Sequence, residues 1–145
     1  MKKLLLILVL FSSCKFSTTF DNRKTDKDAA EKVVDRFYSF LKNQQVDSAL
    51  NLMHPYLLMS NDPAKLREFL QQTGLQMATI KERKLDHWET KVTEGLERDS
   101  DYGLYYIHSF PSNNLKVSIG LKKDFEQQLK IVNLQMDPNE FKKMN

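Results

Sequence analysis

Between positions 115 and 121 the chain alternates strictly. Leu115, Val117, Ile119 and Leu121 are apolar, while Lys116, Ser118 and Gly120 between them, and Lys122 beyond, are small or polar. A period of two places the four apolar side chains on one face of a half-buried antiparallel strand. Such a face needs a covering layer, and the first half of the chain supplies one. Ala30, Val33, Val34, Phe37 and Leu41 follow the i, i+3, i+4, i+7 spacing of an amphipathic helix, with Phe40 beside them. Helices first and strands afterwards give the fold class α+β: N-terminal helices packed on a curved antiparallel sheet of three to four or more strands.

The punctuation between these patterns sets the expected elements. The first helix is expected over 26–43, capped by Thr25 or Asp26, with Asp28 and Glu31 near its positive end. Asp47 reads as the cap of a short second helix, which Pro55 limits. Asp62-Pro63 is a cap residue followed by proline at the first helical position, and it opens a third helix. Leu66, Phe69 and Leu70 form its stripe, and Gly74 is its expected stop. Residues 77–94 read as one or two strands with a polar outer face, marked by Ile80, Leu85, Trp88 and Val92. A strand over 103–110 follows, then a turn at 111–114 and the alternating strand. In the last strand, 127–136, the apolar set shifts from Leu129 and Ile131 to Val132, Leu134 and Met136. That phase change predicts a bulge or a strand buried on both faces.

The amino end is different in kind. Met1-Lys2-Lys3 is followed by apolar residues from Leu4 to Phe11 and then by Ser12-Ser13-Cys14. A positive start, a short apolar run and small residues make an export signal. The sole cysteine stands at the expected cleavage site, and the segment resembles a bacterial lipoprotein signal, with Phe11 where the usual box has an aliphatic residue. The resemblance implies that Cys14 is lipidated and becomes the first mature residue. The alternative is an ordinary secretory signal cut near Ser13, with Cys14 incidental. The apolar run is too short to span a bilayer, which takes roughly 20 residues. On this reading 1–13 is the signal, 14–25 the lipidated cysteine and a flexible tether, 26–137 the domain and 138–145 a tail. Lys15 follows the cysteine where an aspartate is the usual inner-membrane retention cue. The resemblance therefore implies an exported protein on the outer membrane, facing the periplasm, if the source has two membranes.

The whole chain has 145 residues, with 22 basic and 19 acidic side chains. Lys2 and Lys3 belong to the signal, so the remainder is nearly neutral and carries no basic excess for nucleic acid. One cysteine allows no internal disulfide.

The long first helix, the Gln45-Val46-Asp47-Ser48-Ala49-Leu50 connection and the closing strands resemble the nuclear transport factor 2-like superfamily, a cone-shaped α+β fold also called cystatin-like. The resemblance covers about residues 26–137. It implies an open cone, a sheet that often dimerises and, in members such as ketosteroid isomerases and dehydratases, acid–base chemistry by Asp, His and Tyr on the concave face.

Candidate chemistry is sparse. His54, His87 and His108 show no metal-ligand spacing, although His87 and His108 could meet across neighbouring strands; no metal and no cofactor are expected. There is no nucleophile elbow and no phosphate loop. Asp86, His87, Tyr105, Tyr106 and His108 offer the groups that acid–base catalysis in an apolar pocket needs. Alternation puts Tyr106 and His108 on one face with Leu104 and Phe110, so these two are the catalytic alternative. The aromatics Trp88, Tyr105, Tyr106, Phe110 and Phe125 could instead line a cone or fill the core. The ligand-pocket candidates are Phe37, Trp88, Tyr106, His108 and Phe110. The charged run 81–91 is a solvated sheet face or a protein-binding edge. The expectation is a non-enzymatic, lipid-anchored envelope protein that binds a protein partner or a small apolar ligand. The alternatives are a pocket enzyme of the isomerase or dehydratase type, or a homodimer formed through the sheet.

Overall fold

The computed structural model describes residues 16–136. The signal segment, Cys14 and the 138–145 tail lie outside the described residues. In chain order the elements are β1 (Ser17–Asp21), α1 (Lys24–Lys42), α2 (Val46–Leu50), α3 (Pro55–Met59), α4 (Pro63–Met77), β2 (Glu82–Gly95), β3 (Asp99–Ser109), β4 (Asn114–Lys123) and β5 (Leu129–Met136). The strands form one antiparallel open sheet in the order β1-β2-β3-β4-β5. The fold class is α+β.

The core lies between α1 and one face of the sheet. Phe37 and Leu41 of α1, Leu70 of α4, Leu104 of β3, Ile119 of β4 and Ile131 of β5 are all fully buried. Burial alternates along β3 and β4 as the period of two requires.

Strand β1 occupies part of the segment expected to be a flexible tether. Ser17 pairs with Gly95 and Asp21 with Lys91, so β1 is an edge strand on β2. Asn22 then adopts a positive φ of 50° and closes the strand. Its backbone N–H donates to Thr90 O at 2.8 Å, and its side-chain Oδ1 accepts from Thr90 N at 2.9 Å. Asparagine tolerates this left-handed geometry better than most residues.

Helix α1 starts two residues earlier than expected, and neither Thr25 nor Asp26 is its cap. Arg23 holds the N-cap position, without a side-chain cap bond. Asp26 is buried and accepts two hydrogen bonds from the Arg23 guanidinium, at 2.8 and 2.9 Å. The same guanidinium donates to Glu94 at 2.8 Å and lies 4.2 Å from the Phe20 ring centre. Arg23 thus clamps the β1–α1 corner to β2.

Pro55 does limit α2, but it also opens α3, which the sequence reading lacks. Its cap is His54, whose Nδ1 accepts from Tyr56 N at 3.1 Å. At α4, Asp62 Oδ1 accepts from Ala64 N at 2.8 Å and from Lys65 N at 3.3 Å, as the cap-proline pair predicts. Gly74 does not stop this helix, which runs on to Met77. Gly74 is instead where α4 meets the end of α1: a Cβ there would lie 2.5 Å from Leu41 O.

Residues 82–95 are one strand, broken in phase by a bulge. The register jumps between Leu85 and His87, leaving Asp86 as the extra residue. Arg83 and Leu85 face the helices before it, and Trp88, Thr90 and Val92 after it, opposite Leu104, Tyr102 and Ser100. The phase change in β5 is likewise a bulge, since Leu121 pairs with Ile131 and Gly120 with Asn133. At that point Ile131 turns to a new partner: Ile131 N donates to Leu52 O at 2.9 Å, and His54 N donates to Ile131 O at 2.8 Å.

Candidate functional site

Alternation along β3 sends Leu104, Tyr106 and His108 to the helix side and Gly103, Tyr105 and Ile107 to the other. This divides the acid–base candidates into two groups. His87 and His108 do not meet, because they lie on opposite faces: Arg83 stands opposite His108, and His87 opposite Tyr105.

On the helix side, Tyr106 and His108 converge with Tyr38 of α1. Tyr38 Oη and His108 Nε2 lie 2.9 Å apart, and their rings meet edge to face at 5.3 Å. Arg83 closes this cluster from β2. Its guanidinium lies 4.5 Å from the Tyr38 ring centre and 5.1 Å from that of Tyr106, and it is ion-paired with Asp35 of α1. Burial, and then the Arg83 charge, push the His108 imidazole down to about 4. It is therefore neutral at neutral pH. Burial raises both Tyr38 and Tyr106, so both phenols keep their protons. Among the described residues, Tyr106 Oη and His108 Nδ1 are buried without a hydrogen-bond partner. Chemically this is a neutral imidazole with one unpartnered nitrogen beside an unpartnered phenol, and that nitrogen is a base in the tautomer whose proton sits on Nε2. His108, however, is 0% exposed.

On the opposite face, Asp86 at the bulge lies 3.0 Å from His87 Nδ1. The His87 ring stacks on Tyr105 at 4.0 Å, nearly parallel. Asp86 and His87 are each more than half exposed.

One cleft among the described residues has a volume of about 780 Å³. Phe69 of α4, Tyr105 and Ile107 of β3, and Leu134 and Met136 of β5 give it an apolar border, with Asp86 and Lys116 as its charged points. Of the five pocket candidates, only Tyr106 borders this cleft. Phe37 and His108 are fully buried, Phe110 is nearly so, and Trp88 packs half-buried against the core. These side chains fill the space between α1 and the sheet. Phe125 stands away from them, 95% exposed in the β4–β5 turn. Sequence reasoning missed Tyr38, Arg83, Phe69 and Ile107. Ile107 was legible as the one aliphatic residue on the outer side of β3; the other three come from elements whose docking no local pattern encodes.

Among the described residues no three His, Cys, Asp or Glu side chains come together as a metal site. No described helix is long and apolar enough to cross a membrane. No family model, curated protein or solved structure matches the chain.

Proposed function

We propose that the chain is a lipid-anchored cell-envelope protein, held through Cys14, whose domain is a nuclear transport factor 2-like cone that binds a small apolar ligand without chemical turnover. The cleft carries this reading. About 780 Å³ falls within the range of roughly 300–1,000 Å³ of small-molecule sites, and its border is mostly apolar with a few polar points. Ile107, half-buried near the carboxyl end of β3, stands where an apolar ligand would displace water.

The test uses a secreted form with Cys14→Ser, titrated with the apolar fluorophore N-phenyl-1-naphthylamine. Saturable binding that Ile107→Asp abolishes, without a change in thermal unfolding, supports the reading. Equal behaviour of the two proteins ends it. Separately, Cys14→Ser in the native precursor should abolish fatty-acid labelling, and unchanged labelling would sink the anchor.

A second reading, general acid–base catalysis of the isomerase or dehydratase type, is favoured by one observation. Tyr106 borders the cleft with its hydroxyl unpartnered among the described residues, and His108 stands beside it. On that reading Tyr106→Phe and His108→Ala remove activity while the fold persists; full activity in both would exclude this pair.

A further inference from the structure

Three large apolar side chains stand exposed at one end of the sheet. Phe16 is 78% exposed, Leu96 71% and Phe125 95%. Strand pairing brings them together. Phe16 directly precedes β1, whose Ser17 pairs with Gly95, so Phe16 lies beside Leu96 in the β2–β3 turn. Ser17 Oγ accepts from Glu97 N at 3.2 Å, which fixes that turn against β1. Phe125 lies in the β4–β5 turn, and Lys123 N donates to Ser100 Oγ at 2.9 Å, joining this turn to the first. Charges of both signs surround the three residues: Arg98 and Lys123 stand beside Glu97 and Asp99. The common property of this end is therefore its apolar side chains rather than its charge.

The position of Cys14 says what covers them. Two residues of fully extended chain reach about 7 Å. An acyl chain on Cys14, buried in a bilayer, therefore leaves Phe16 within about 7 Å of the lipid interface. Because Phe16 leads directly into β1, that distance also fixes the end of the sheet.

We infer that the β2–β3 and β4–β5 turns rest on the lipid surface, with Phe16, Leu96 and Phe125 inserted among the headgroups, so that the domain stands on the membrane in one orientation. This inference rests on the acylation of Cys14. It sets the apolar cleft away from the bilayer: Ile107 is eight residues along β3 from Asp99, or about 25 Å.

The experiment uses the full chain purified from membranes and placed in phosphatidylcholine vesicles that carry doxyl-labelled lipid. A bimane fluorophore is attached at Glu97→Cys, at Glu126→Cys or, at the opposite end of the sheet, at Ser112→Cys. The intact mass reports acylation independently. The expected result is an acylated mass, loss of most bimane emission at 97 and 126, and none at 112. In Leu96→Ser/Phe125→Ser, emission at 126 should return, since Phe125 is exposed and its loss leaves the core intact, while 97 stays beside the anchored Phe16; full quenching persisting at 126 overturns the insertion of Phe125. An acylated mass with unquenched turns overturns the surface and leaves the anchor standing. An unacylated mass overturns the anchor, and the same quenching, read on Cys14→Ser protein carrying the label at one site and added to vesicles, then decides the surface alone. Quenching at 97 and 126 sustains it, and none overturns it.

Discussion

Tyr38 Oη lies 2.9 Å from His108 Nε2, a single buried hydrogen bond between α1 and β3. His108 Nδ1 has no partner among the described residues, so the bond to Tyr38 is the only one recorded for this ring. Tyr38→Phe should therefore cost about 1–3 kcal/mol, the penalty for leaving a buried polar group unmet. Urea unfolding measures it. Tyr38→Phe/His108→Leu should cost less than the sum of the two single changes, because the second removes the stranded imidazole.

The same imidazole makes stability depend on pH. His108 titrates at about 4 when folded and near 6.5 when unfolded. Between those values the unfolded chain binds a proton that the folded chain does not, so stability falls as pH drops from 6.5 toward 4 and levels off below. The loss is on the order of 3 kcal/mol, at 1.36 kcal/mol per unit. Melting curves across this window should show it in the wild type and show much less in His108→Leu.

Gly74→Ala should destabilise the protein, although alanine is the better helix former by about 1 kcal/mol. The added methyl would stand 2.5 Å from Leu41 O, a backbone atom at the end of α1. Relief requires α1 and α4 to part, and overpacking of this kind costs about 1–3 kcal/mol. An equal or higher melting temperature in Gly74→Ala would contradict this contact.

Gly95→Ala should release β1 and leave the rest of the sheet intact. Gly95 has φ +124°, and a Cβ there would lie 2.3 Å from Phe16 O. Hydrogen exchange should quicken at residues 17–21 while β3 and β4 keep their protection. Uniform loss of protection would mean that β1 is integral to the core.

What the sequence disclosed depended on how far a pattern extends. Helix α1 and strand β4 were readable because each repeats its period several times against one buried face. The bulge in β5 was readable as a slip of one residue between Ile131 and Val132. The bulge in β2 left a comparable mark, three positions from Leu85 to Trp88 where a strand allows two or four, but the charged residues around it masked the signal. Strand β1 has no buried residue, and its partner lies about seventy positions away, so no local pattern betrays it. Helix α3 buries none of its five residues and so shows no stripe. At the candidate site, alternation placed Tyr106 and His108 on one face, as the structure does. Tyr38 and Arg83 reach that face from other elements, and only tertiary packing puts them there.

Strands β2 to β5 are joined in sequence by short turns, whereas four helices separate β1 from its partner β2. Thr19 meets Thr93 at 3.0 Å across 74 residues. Closing so long a loop is entropically slower than zipping short hairpins. The first strand to be made is therefore the last to find its place, and pulse-labelling of amides during refolding reads that order directly. In a chain tethered by its amino end, this late pairing has a mechanical meaning. On the proposed acylation of Cys14, that late step would draw the finished body to its own point of attachment, and maturation would end in landing.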